Sequence, residues 1–150
     1  DVMSATSIGE KIWQNDSIQF GVAFSDATKE SEYYGDTFTE IAIGESPEGP
    51  IAWRHKSVNN SMAAGKLDNA AVAVKREEQH TYYEACIPLS ELFNVEIDGS
   101  SLSSLKVSAV VNDNDGNGRK QAIQIGGGIV SVKDLKLFRN LNILNLDSVN

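Results

Sequence analysis

The chain of 150 residues is long enough for one domain with a sizeable core, and its 41% hydrophobic content is that of a globular rather than a disordered sequence. A formal net charge of −8 argues against nucleic acid or an anionic membrane as partner, because phosphate binding rests on Lys and Arg. One cysteine, Cys86, excludes an internal disulfide and a cysteine-based zinc cluster, and no apolar run approaches the roughly 20 residues that cross a bilayer.

Residues 1–11 are polar and small and predict a loop, with no charged-then-apolar pattern of a signal peptide. Residues 17–24 alternate, with Ile18, Phe20, Val22 and Phe24 on one face and Ser17, Gln19, Gly21 and Ala23 on the other. This predicts a half-buried strand. The stretch 25–36 predicts turns, with Tyr33-Tyr34 opening the next element. Strands are expected at 38–43 and 51–55, the second carrying Trp53, with a turn over Glu45-Ser46-Pro47-Glu48-Gly49-Pro50 between them. Residues 56–69 predict another loop. Residues 70–77 and 80–87 predict a hairpin around Glu78-Gln79, with Val72 and Val74 pointing the same way, and Pro88 ending it. Cys86 falls inside that second strand and reads as a buried, inert thiol. Ser90 is a natural N-cap for one helical turn. Residues 105–111 alternate with Leu105, Val107, Ala109 and Val111 aligned, and 121–125 and 141–146 supply the last strands. Gly126-Gly127-Gly128 between them is no phosphate loop, since neither Lys-Ser/Thr nor a helix follows. Many short strands with polar turns and almost no helical periodicity predict a single all-β domain, an antiparallel β-sandwich of jelly-roll or immunoglobulin-like two-sheet architecture.

Four segments, in order and spacing, resemble the family 9 carbohydrate-binding modules. They are Trp13-Gln14-Asn15-Asp16-Ser17-Ile18, Tyr83-Glu84-Ala85-Cys86-Ile87-Pro88, Val111-Asn112-Asp113-Asn114-Asp115, and Lys133-Asp134 followed by Phe138-Arg139-Asn140-Leu141. The resemblance implies an antiparallel β-sandwich, further strands before Asp1 in a longer domain, and a secreted or cell-surface location within a larger extracellular enzyme or surface protein. It also implies a sugar held between two tryptophans. Trp13 matches the first, whereas the second falls near Val132, which offers no stacking plane. Gln19 stands where the family places a sugar-binding acid, and Arg119 matches a polar contact.

The residues themselves support a ligand set of Trp13, Gln19, Trp53 and Arg119. An aromatic plane packs on the apolar C–H face of a pyranose while polar groups reach its hydroxyls. Trp13 could equally pack over the end of the sandwich, and Trp53, on one strand face with Ile51, could be core. Asp113, Asp115 and Asn117 resemble the start of an oxygen-rich calcium loop, so a structural calcium is possible. Position 124 is Gln rather than the glutamate of an EF-hand, and a metal-free turn reads the same. His55 and His80 lack a third ligand at metal spacing. Glu84 reads as a core acid or a metal ligand.

The expected function is a non-catalytic carbohydrate-binding module without organic cofactor. The alternatives are a structural or interaction module with a degenerate sugar site, and a haem-binding relative using Met62 with His55 or His80. Acids such as Asp16, Glu40 and Glu84 show no spacing of a glycosidase pair, so no enzyme is expected.

Overall fold

The computed structural model describes residues 3–24, 38–57, 62–93 and 105–141. The expected turn region with Tyr33-Tyr34 and residues 142–146 of the expected last strand lie outside them. The alternating segment is strand β1 (Ser17–Phe24), and it takes a central place in a seven-stranded sheet. It pairs antiparallel with β2 (Phe38–Ser46) on one side and β7 (Leu105–Asp113) on the other. Outward from β2 follow β3 (Gly49–Ser57) and the short β4 (Gly65–Lys66), which interrupts the predicted loop. On the far side of β7 lie β8 (Gln121–Ile125) and, further along the same strand, β9 (Arg139–Leu141).

The predicted hairpin forms a second sheet of β5 (Ala71–Glu77) and β6 (His80–Cys86), turning at Glu78 with φ of 53°. It packs over β2 and β3 through Ile41, Ile43, Ala52 and Leu67, joined by Ile18, Phe20, Val72 and Tyr83. The fold is thus all-β with two sheets face to face. Helix α1 (Leu89–Leu92) is a single turn capped at Pro88 without a side-chain bond, so Ser90 is not its N-cap. Proline's fixed φ suits that position, and Ser90 follows one residue inside the turn. Arg54 holds α1 in place, donating from Nη2 to both the backbone oxygen and Oε2 of Glu91 at 2.6 Å.

Burial is uneven across the two faces of the large sheet, and the expectation of a buried Cys86 is corrected. In β1 the set Ser17, Gln19, Gly21 and Ala23 is the more deeply buried one, while Ile18, Phe20 and Val22 are part-buried. In β7, likewise, Ser108, Val110 and Asn112 are buried and Val111 is exposed. The hairpin covers only the β2–β3 half of its face, whereas the opposite face is capped from two directions. A 3-10 helix at Gly9–Gln14, within the predicted loop, seats Ile12 on Ala42 and Ile51. The segment after β8 seats Ile129 and Phe138 on Ala23, Phe38 and Val110. Cys86 and Glu84, finally, are exposed rather than core, because they project from the outer side of β6 while Thr81 and Tyr83 point inward.

Candidate functional site

The two caps on that face leave a gap over the middle of β1 and β2. Gln19 and Ala42 are paired in register there, with Glu40 and Gly21 one step on. This places Gln19 and Glu40 side by side on the floor, and Gln19 Nε2 donates to Glu40 Oε1. The β2–β3 register shifts between Glu40 and Ile41, so His55 has no Cα partner. A bulge of this kind re-aims a side chain, and His55 lines the same gap.

The cleft has a volume of about 280 Å³ and is lined by Trp13, Gln19, Glu40, His55, Arg119, Ile129, Val130 and Lys133. Small-molecule sites span roughly 300–1,000 Å³, so this cleft lies just below the small end of that range. A second cleft of about 350 Å³ shares Trp13 and His55 with the first and adds Glu10, Lys11, Gln14, Trp53 and Ala64. All four residues expected to bind ligand therefore meet on one face: Trp13, Gln19 and Arg119 in the first cleft, Trp53 in the second. Trp53 also packs against the Ile12, Ala42 and Ile51 cluster, in line with its core reading.

Trp13 is held by a hydrogen-bonded lock built from the residues that follow it. Buried Asn15 donates to the backbone oxygens of Ser7 at 2.8 Å and Glu45 at 3.0 Å, and accepts from the Ser7 amide at 2.8 Å. Buried Asp16 accepts from the amides of Ser4 at 2.6 Å and Asn114 at 3.1 Å. Asn114 in turn donates to the Gln14 backbone oxygen. The Arg119 guanidinium lies over the Trp13 ring, 4.8 Å from its centroid, an attractive cation–π contact.

Sequence reasoning missed Glu40, Lys133 and His55 as site residues. Glu40 is 3% exposed, and Lys133 Nζ donates to its Oε2 at 2.6 Å. Burial of a carboxylate is tolerated only with such pairing. The detectable signal was an acid inside the apolar run Phe38–Ser46, on the same strand face as Ala42 and Gly44. Burial holds the His55 pKa below 6.5, with Glu40 opposing, Lys133 reinforcing and Glu10 opposing. Its Nε2 is buried without a hydrogen-bond partner among the described residues, as is Trp53 Nε1. Val132, where a second tryptophan would stand, is 50% exposed between the lining residues Val130 and Lys133.

Two of the three residues of the expected calcium loop are paired with close neighbours in the chain. Asp115 pairs with Lys120, Asp113 Oδ2 accepts from Gln121 Nε2 at 3.1 Å, and Asn117 is exposed. Among the described residues, no group of three or more His, Cys, Asp or Glu is placed to hold a metal, and no helix is long and apolar enough to cross a membrane. His80 lies at the tip of the hairpin beside the Tyr82 ring, away from His55 on the bulge of β3. No protein-family model matches the chain, and neither a curated protein nor a solved structure matches it.

Proposed function

We propose that the protein is a non-catalytic carbohydrate-binding module whose ligand lies in the cleft between the two caps. The observation that carries this reading is the meeting of Trp13 and Gln19 with the sequence-distant Arg119, the buried Glu40 and Lys133 in one cleft. An indole plane beside fixed donors and acceptors is the composition that sugar recognition needs. Glu40 is the one carboxylate among the described residues lining that cleft, and a glycosidase needs two facing each other. Asp16 is spent on backbone amides and Glu84 faces outward from the hairpin, which supports the non-catalytic reading. Attachment to a larger extracellular enzyme or surface protein belongs to the same proposal.

Glycan-array binding by the wild-type domain is expected, and Trp13→Ala is expected to lose it at least about tenfold with the melting transition retained. Binding that survives in a folded Trp13→Ala protein would remove Trp13 from the site. Because Lys120 already occupies Asp115, binding is expected to persist in EDTA. A second reading, an interaction module, draws on one observation: Val111, Ile123 and Ile125 form an exposed apolar stripe where the hairpin leaves β7 and β8 uncovered.

A further inference from the structure

Three cationic or titratable side chains meet one buried acid in the cleft, and their pairing is uneven. Lys133 is compensated by Glu40, with Nζ and Oε2 2.6 Å apart. His55 is kept neutral by burial, with Lys133 acting in the same direction against Glu40 and Glu10. Arg119 is different. Its guanidinium rests on Trp13 and makes one hydrogen bond, from Nη1 to Asn112 Oδ1 at 3.3 Å, and it has no salt bridge among the described residues. A guanidinium carries five donors in a planar fork, so most of Arg119's donor capacity is unspent. The chain carries a net charge of −8, yet among the described residues this cleft is lined by two cations against one anion. Glu10, the other acid that influences His55, lines the neighbouring cleft.

Resting on the carbohydrate reading, we infer that the preferred ligand is an acidic sugar, a pyranose bearing a carboxylate, whose charge is taken by Arg119 while its ring packs on exposed Val130 and on the part of Trp13 that the guanidinium leaves uncovered. A carboxylate matches the guanidinium fork bidentately and makes charge-assisted bonds about twice as strong as neutral ones. A neutral sugar would leave Arg119 without its counter-charge. The stack on Trp13 fixes the guanidinium plane in advance, so less side-chain freedom is lost on binding. Gln19, whose amide nitrogen donates to Glu40, lines the same cleft.

The test compares a galacturonic acid trisaccharide with the corresponding neutral galactose trisaccharide by isothermal titration at low and high salt. The uronate is expected to bind roughly tenfold or more tightly than the neutral sugar, with the advantage shrinking as salt rises. Arg119→Gln is expected to abolish that preference. Arg119→Lys, which keeps the charge and loses the fork, should retain only part of it. Equal or tighter binding of the neutral trisaccharide, or a preference unchanged in folded Arg119→Gln, overturns the acidic-sugar assignment while leaving the carbohydrate reading in place. Failure of both trisaccharides and of a broad glycan array overturns the carbohydrate reading together with this assignment.

Discussion

His55 shows how a single buried group translates position into a measurable property. The bulge in β3 directs it into the cleft, where burial favours the uncharged ring and holds its pKa below 6.5. The unfolded chain therefore takes up a proton at a higher pH than the folded one does. Stability contributed by this group is fully present above pH 6.5 and is lost as pH falls below it. Thermal melts taken between about pH 7.5 and 5.5 should show a declining Tm, and His55→Gln should flatten that decline. An equal decline in the variant would assign the slope to another group. Glu91 does not compete in this window: bonds from Asn69 and then Arg54 hold its pKa below 4.5, so its contribution disappears only in stronger acid.

Among the elements, the segment from β8 to β9 forms one of the two caps beside the cleft, and glycine decides whether it closes. Gly127's amide donates to the Leu137 backbone oxygen at 2.9 Å, and Gly128 has φ of 85°. A Cβ at Gly128 would overlap the Asp134 carbonyl oxygen. Gly128→Ala therefore meets both backbone strain and a backbone clash, and should cost about 2–3 kcal/mol in denaturant titration while weakening ligand binding through Ile129 and Lys133. A variant as stable as wild type would show that this loop rearranges freely. Gly21 works by close approach instead: a Cβ there would stand 2.6 Å from Phe138, whose ring packs edge-on against Phe38. The hairpin β5–β6 was legible from alternation around a two-residue turn, and the structure agrees within a residue at each end. Which face of β1 and β7 is the more buried was not legible. Alternation gives the period of a strand, but coverage depends on what packs above it, and here the caps come from a 3-10 helix and an irregular loop without periodicity of their own.

For the molecule as a whole, the same limit explains which site residues could be read. Trp13, Gln19 and Arg119 stand out as residue types that suit a sugar, and the fold brings them to one cleft. Lys133 and Glu40 make sense only as a pair, and 93 positions separate them, so neither announces the other in the sequence. The two faces of the large sheet differ in the same way. The capped face holds the cleft, whereas its opposite is covered by the hairpin over β2 and β3 and leaves β8 open, with Ile123 and Ile125 each 65% exposed. Burial sets the cost of removing an apolar side chain: a core Leu67→Ala at 2% exposure should cost about 2–5 kcal/mol. Replacing Ile123 and Ile125 together with threonine should instead cost no more than about 0.5 kcal/mol per site, since threonine keeps the branched shape that strands favour. Urea titration checks the stability, and binding of a hydrophobic dye should fall in the double variant as the stripe is removed. A loss of about 2 kcal/mol or more would mean that these isoleucines are covered in solution.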